Sequence, residues 1–592
     1  MGFARSALTL CQAVFLVFNF LPAGYAASIT KRQSDHAPSV DVRNGTYYGT
    51  YNPTYDQDLF LGMPYAQPPV GNLRFQLPQS LTTTWNETRN ATQYSPECYG
   101  YGSDDWVLGN VLAEDCLTIN VVRPSGVEAG ANLPVLFWIH GGGFFEGGSR
   151  DPRYNQSFLV QQSVYARAPI VAVSINYRLS GWGFLYGNEV AEAGVANIGL
   201  RDQRLALQWV QENIEAFGGD PTKGNLVFSF FIGNILTPTL VVIQGESAGG
   251  NSVGSHLIAY GGRDDGLFRG AIAESGAPTA LSIYYNASGW QPFYDTVVNA
   301  TNCTTANDTL QCLRTVPAEI LSDVFNSTAL EDASWRPVID GDFLVDSGAT
   351  LLRKGRFVKV PFLLGTNFDE GTAFGTQGIN TTKQFIEDVI SSGTNISNAT
   401  AATIAALYPD IPEIGIPATL KGRPAADTAY GSQFKRAAAY GGDLYMHAGR
   451  RLTNQMWAKY QVSSYSYHFN VLVNGVPAEI GATHFQEVIF VFHNLNGEGY
   501  NNSVSVNPFA NEPPTFTQLA TLMSRMWISF VNDLDPNNSG VSCVHWPVYT
   551  LDDPKNIVFD VNVTNLAYAE ADTFRAEGIQ FIADNFETYF GR

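Results

Sequence analysis

Charge is scarce in this chain, and positive charge scarcer still. Of 592 residues 15% are charged, with 34 Lys and Arg against 54 Asp and Glu, for a net charge of −20. That balance argues against nucleic acid or an anionic membrane as partner. Cysteine is also rare. Setting aside Cys11 near the N-terminus, Cys98, Cys116, Cys303, Cys312 and Cys543 form no Cys-x-x-Cys pair and no cluster with histidine, which argues against a zinc site. No segment after the N-terminal apolar stretch reads as a transmembrane helix, and the final residues carry no lipid-anchor tail. Internal repeats and long linkers are missing too, so the expectation is one domain with insertions, covering 33–592.

The N-terminus has the make-up of an export signal over 1–26. Arg5 supplies the positive end, Ala13 to Leu21 the apolar stretch, and Gly24-Tyr25-Ala26 a small-residue cleavage site. Lys31-Arg32 offers a second cut, extending the removed segment to 32. Asn-x-Ser/Thr sequons such as those at Asn44, Asn86, Asn155, Asn299 and Asn562 agree with a secreted glycoprotein. Pairing cysteines by nearness gives Cys98–Cys116 and Cys303–Cys312, leaving Cys543 over. Each such short loop stabilises the fold by about 3 kcal/mol at most, mainly by restricting the unfolded chain.

Apolar strand runs recur along the chain. Val40 to Phe60 reads as alternating strands with a turn at Asn44-Gly45, and Leu61 to Gly71 as a proline-rich connection. Cys116 to Val122, Pro134 to Ile139 and Ile170 to Asn176 follow as strands, then an amphipathic helix over Asp202 to Phe217. Val241-Val242-Ile243-Gln244 is a further strand, and it runs into Gly245-Glu246-Ser247-Ala248-Gly249. Later come strands at Gly270 to Ser275, Val360 to Gly365 and Ser464 to Val471, helical patterns between Phe434 and Met456, and a helix over Thr517 to Val531. This rhythm predicts an α/β fold, a large mostly parallel sheet with helices on both faces.

Gly-x-Ser-x-Gly between strand and helix makes a tight corner. A Cβ at Gly245 or Gly249 would crowd the backbone there, and the corner lifts the Ser247 hydroxyl clear of the sheet. Alone, the pentapeptide is a weak signal, because Gly/Ser loops are common. A second piece strengthens it. His140-Gly141-Gly142-Gly143 ends an earlier strand, and consecutive glycines let backbone N–H groups converge on an oxyanion together with that of Ala248. For the acid, Asp369-Glu370-Gly371 follows a strand, and spacing does not choose between Asp369 and Glu370. Among the later histidines, His447 falls in a helical pattern and His468 in a strand. His484 lies on a loop after a strand, as a general base requires, and is preferred over His493.

The chain resembles the type-B carboxylesterase/lipase family, the cholinesterase-like α/β-hydrolases, and its secreted fungal members above all. The resemblance spans nearly all of the mature chain. It rests on Phe60-Leu-Gly-Met-Pro-Tyr-Ala-Gln-Pro-Pro69, Leu73-Arg74-Phe75, Glu114-Asp115-Cys116-Leu117, Gly141-Gly-Gly-Phe144, Asn176-Tyr177-Arg178 and the Ser247 pentapeptide. It implies the α/β-hydrolase fold and a serine carboxylic-ester hydrolase acting on a small-molecule ester through an acyl-enzyme on Ser247. It implies Glu370 as acid, His484 as base, and an oxyanion hole of Gly142, Gly143 and Ala248. Disulfides Cys98–Cys116 and Cys303–Cys312 and ion pairs Arg74–Glu114 and Arg178–Asp202 are implied as scaffold. No metal or organic cofactor is called for. Glu246 is given no catalytic role, only an electrostatic influence on the histidine. The family also holds triacylglycerol lipases and non-catalytic adhesion proteins, and the complete triad argues against the latter.

Two stretches depart from the family pattern. Residues 224–240 intervene where members run almost directly from Lys223 to Val241, and this apolar insert is read as translated intron. The Cys98–Cys116 loop leaves little room for a long lid, although Trp106, Val107, Leu108 and Val111 within it could line a gorge. That tilts the expectation towards an esterase over an interfacial lipase.

Overall fold

The computed structural model describes residues 37–102, 109, 111–221, 239–279, 286–500, 506–541 and 544–592. The export signal, the dibasic pair, Trp106, Val107, Leu108, 224–238 of the insert, Asn501 and Cys543 lie outside the described residues.

Eleven strands form the main sheet: β1 Thr50–Asn52, β2 Gln57–Pro64, β3 Thr118–Pro124, β4 Val135–Ile139, β5 Val171–Ile175, β6 Val241–Glu246, β7 Gly270–Glu274, β8 Phe362–Asn367, β9 Ser464–Phe469, β10 Lys555–Phe559 and β11 Ala567–Ala571. Their spatial order is β11-β10-β9-β8-β7-β6-β4-β5-β3-β2-β1. From β10 through β9, β8, β7, β6 and β4 to β5 every neighbour is parallel, and both margins are antiparallel. The predicted parallel sheet is therefore the centre of a mixed one.

The apolar strand runs are explained by burial on both faces. Side chains alternate across a strand, and the two sides feed two cores. Val135, Phe137, Ile139, Val241 and Ile243 join one core with Ala206, Leu207 and Val210 of α2, Ile198–Asn213, and Val253 and Leu257 of α3, Ala248–Gly262. Leu136, Trp138, Val242 and Ile272 join the other, with Leu159 and Val160 of α1, Gln156–Tyr165, and Leu519, Met523 and Trp527 of α5, Pro514–Asp533. The fold is an α/β-hydrolase sandwich of helix, sheet and helix.

Several boundaries differ from the sequence reading. The first hairpin turns at Arg43-Asn44, with Val42 paired to Gly45, one residue earlier than the Asn-Gly pair suggested. The proline-rich connection is partly β2, because its prolines lie at the strand end and beyond it. The helical region from Phe434 is one continuous rod with a π-turn at Asp443–His447, and it ends in α4, Ala448–Lys459. Cys98–Cys116 and Cys303–Cys312 are bonded, with S–S distances of 2.02 Å in each. Arg74–Glu114 and Arg178–Asp202 are ion pairs at 2.6 Å, both nearly buried.

Candidate active site

Every site residue inferred from sequence sits at the carboxyl end of a central parallel strand, or on the loop that leaves it. In open α/β sheets ligands bind at that edge. β4 delivers Gly141-Gly142-Gly143, β6 delivers Ser247, β8 delivers Asp369 and Glu370, and the loop after β9 carries His484.

Ser247 stands at the corner between β6 and α3 with φ 54° and ψ −119°. A non-glycine residue with positive φ is strained. Two backbone bonds hold it: its N–H donates to the Glu274 carbonyl at 2.9 Å, and its carbonyl accepts from Asn251 N–H at 2.8 Å. The neighbouring glycines are required by close approach. A Cβ on Gly249 would overlap the Ile139 carbonyl, and one on Gly141 would come within 2.7 Å of the Glu246 carbonyl. So the glycine loop is packed directly against the corner. Gly142 and Gly143 have φ of 95° and 62°, the left-handed region glycine favours. Among the described residues, the N–H groups of Gly142, Gly143 and Ala248 have no backbone carbonyl partner. As the first residue of α3, Ala248 has none within the helix.

The two acids make different contacts. Glu370 Oε2 lies 2.8 Å from His484 Nδ1, and Glu370 Oε1 accepts from Ser275 Oγ at 2.5 Å and from Asn367 N–H at 2.8 Å. Asp369 instead accepts the Ala482 N–H at 2.9 Å, tying the histidine loop to β8. His493 is elsewhere, between Gln162 and Thr521. His447 and His468 are buried and bonded to Thr366 and Glu570. His484 is part-buried, its ring 4.8 Å edge-on from Phe374.

Three further carboxylates surround this pair; the sequence reading gave Glu246 an electrostatic influence on the histidine and gave Glu274 and Glu487 no place in the site. Glu246 Oε1 is 3.3 Å from His484 Nε2. Glu487 accepts from Asn367 Nδ2 at 2.5 Å and from Ser275 Oγ at 3.3 Å. Glu274, at the end of β7, accepts from Gln244 and Trp527. The signal for Glu274 was present, an acid closing an apolar strand. Glu487, three residues past His484, carried none. Burial pushes Glu246 up to about 8, with Glu487 and Glu370 adding to it, and pushes Glu487 up to about 7. Burial by itself would lower His484, but Glu246 and then Glu370 outweigh it and lift the imidazole to about 9. The carboxylates on either side of the ring favour its protonated form.

A cavity of about 530 Å³ opens beside Gly143 and Phe374, walled by Phe145, Phe325 and Trp335. Among the described residues no cluster of His, Cys, Asp and Glu is arranged to hold a metal ion, and no helix is long and apolar enough to cross a membrane.

Comparison with known proteins agrees with this architecture. The profile of the Carboxylesterase family matches residues 36–575. The chain belongs to that family. Lipase 4 of Diutina rugosa is 35% identical, over 94% of this chain and 97% of its own length. Secreted lipase 1 of Botryotinia fuckeliana (strain B05.10) is 33% identical, over 97% of this chain and 99% of its own. The crystal structure of Aspergillus niger EstA superposes with a TM-score of 0.75 at 29% identity, covering 93% of this chain and 98% of that one. As a family member this carboxylesterase-fold chain is a carboxylic ester hydrolase.

Proposed function

We propose that Ser247 is the nucleophile of a secreted esterase, with His484 as base, Glu370 as its orienting acid, and Gly142, Gly143 and Ala248 as oxyanion donors. The observation that carries this is the run of contacts from Glu370 through both nitrogens of His484 to Glu246, the residue before the strained serine. In this reading His484 takes the Ser247 proton as Oγ attacks the ester carbonyl. The tetrahedral oxyanion is held by the three N–H groups, and the alcohol leaves with the proton from His484. Water then repeats the sequence on the acyl-enzyme. The chain from 33 to 592 acts as one catalytic domain, after removal of the segment before it.

Two observations pull the substrate reading apart. That relatives are named lipases favours a lipase. The Cys98–Cys116 loop, with a separation of 18, is short for a lid and favours soluble esters. Ser247→Ala, with the fold checked by its melting curve, is expected to lower turnover of p-nitrophenyl butyrate by about 10⁴–10⁶. Retained turnover overturns the assignment. Rates on tributyrin below and above saturation separate the substrates, because a jump at the emulsion interface marks a lipase.

A further inference from the structure

The cavity beside Gly143 and Phe374 has a cation in its wall. Arg336 lines it together with the aromatic rings of Phe145, Phe325, Trp335 and Phe374. Among the described residues the Arg336 guanidinium makes no hydrogen bond and no ion pair. Most of the chain's other arginines are engaged. Arg74, Arg178, Arg450 and Arg451, for example, all meet carboxylates.

The backbone on either side of Arg336 is fixed. Trp335 packs on Phe325 at 5.6 Å and stacks on Trp290 at 6.0 Å. Val338 exchanges two hydrogen bonds of 2.8 Å with the Asn197 side chain. Arg336 therefore stands on a clamped stretch of backbone at the wall of the cavity.

A second cation lies close by. Arg592, buried nearby, donates to the Leu444 carbonyl at 3.0 Å and lies over the Tyr445 ring at 4.9 Å. Arg336 is itself among the charges that depress Arg592. Tyr445 in turn meets Phe374, the ring against His484. Glu331 and Asp332 also line the cavity, but both are exposed and neither comes within ion-pair distance of Arg336. Arg336 is open by accessible surface, yet surrounding protein desolvates it enough to lower its pKa. Both facts fit a side chain whose free face is the cavity.

We infer that Arg336 recognises an anionic group on the substrate, so that this enzyme accepts esters bearing a carboxylate remote from the ester carbonyl. The inference rests on the assignment of Ser247 as nucleophile, since the cavity matters only as the place a bound ester fills. A guanidinium bonding a carboxylate in an apolar cavity forms a charge-assisted, two-pronged contact. Truncating such a contact costs on the order of 10- to 100-fold in binding.

The test uses the full chain and chain-matched pairs in a pH-stat: monoethyl adipate against ethyl hexanoate for the acyl side, and 6-acetoxyhexanoate against hexyl acetate for the alcohol side. Moderate salt limits the long-range repulsion from the net charge of −20 to about 8–10 Å. Arg336→Met is expected to lower kcat/KM for the acidic member of one pair by about 10- to 100-fold. The neutral member should stay within about threefold, and Arg336→Lys should recover part of the loss. Equal losses on acidic and neutral esters, or no loss on either, overturn the inference. If Arg336→Met does not fold, competition by adipate dianion on wild-type ethyl hexanoate hydrolysis decides. Inhibition stronger than by hexanoate supports the inference, and equal or weaker inhibition sinks it. Ser247→Ala on the same esters separates failure of the nucleophile assignment, which would leave activity in that variant.

Discussion

Nε2 of His484 lies 3.3 Å from Oε1 of Glu246, on the ring edge opposite the nitrogen that Glu370 engages. The imidazole is thus bracketed by two carboxylates, Glu370 at Nδ1 and Glu246, the residue before the serine, at Nε2. Both favour the protonated ring, which outweighs the burial that disfavours it and brings its pKa to about 9. A strong base results, but at neutral pH most of it already carries the proton. Catalysis should therefore increase from neutral into alkaline solution.

Glu246→Gln removes, at nearly constant volume, the carboxyl beside Nε2, which burial raises to about 8 and which therefore carries its charge in the alkaline range where the ring titrates. Losing a negative charge beside an imidazolium destabilises the charged form, so the histidine pKa falls. The rising limb of the kcat/KM profile should move to lower pH by about one unit or more, each unit being worth about 1.4 kcal/mol. The measurement is a pH–rate profile on p-nitrophenyl butyrate. A limb that stays put or moves up would show that Glu246 does not act on His484.

Glu370→Gln tests the orienting contact. The carboxylate accepts from Ser275, from Asn367 N–H and from the histidine, and a glutamine amide turned towards Nδ1 would offer a donor to a donor. The ring would then adopt the other tautomer. In a serine triad that error costs about 10⁴ in kcat. A loss of about 10³–10⁴ with an unchanged melting temperature is expected here. A loss under tenfold would exclude Glu370 as the orienting acid.

Asp369 offers a stability test on the same turn. Burial raises its carboxyl to about 7, against the hydrogen bond it accepts from Ala482. A carboxyl raised in the folded state binds protons more tightly there than in the unfolded chain. Its penalty is absent below about pH 4 and complete above about pH 7, so stability declines as pH rises through that window. Asp369→Asn does not titrate. Whatever constant offset it introduces, its melting temperature relative to wild type should rise between pH 5 and pH 8, by at least about 2 °C. A melting temperature that, relative to wild type, stays level or falls across that range would contradict the raised pKa.

Much of this site could be read before the fold was known, for a physical reason. Gly141, Gly245 and Gly249 are forced by backbone contacts that admit no Cβ, and Ser247 by a corner only such glycines permit, so the requirement is local and visible in sequence. Choosing Glu370 over Asp369 was not local. Both are buried, and only the partner brought from the loop after β9 distinguishes them. The environment of His484 was hidden for the same reason, since Glu487 and Ser275 meet across 212 positions. The antiparallel β10–β11 margin went unread, because Ala567–Ala571 is largely exposed and lacks an apolar pattern.

The stretch 224–240 carries the last prediction. Its final two residues belong to the fold as described. Thr239 is buried and bonded to Gln211, and Leu240 N–H reaches the Asp220 carbonyl at 3.2 Å, just before β6. In sequence, Pro221-Thr222-Lys223 before the stretch is echoed by Pro238-Thr239-Leu240 at its end. Deleting 224–240 would place Lys223 where Leu240 now stands. The Asp220 carbonyl and Lys223 N–H would then close an ordinary four-residue turn with proline at its second position, the place proline prefers. The deletion variant needs no rearrangement of β6 or of Ser247. It is expected to express in soluble form at least as well as the full chain, with a higher melting temperature and esterase activity within about threefold, since apolar surface is costly to expose. A peptide from Glu-specific digestion that joins Lys223 directly to Val241 in the native protein would show that the shorter chain is the natural one. An insoluble or inactive deletion variant would establish 224–240 as a working part of the fold.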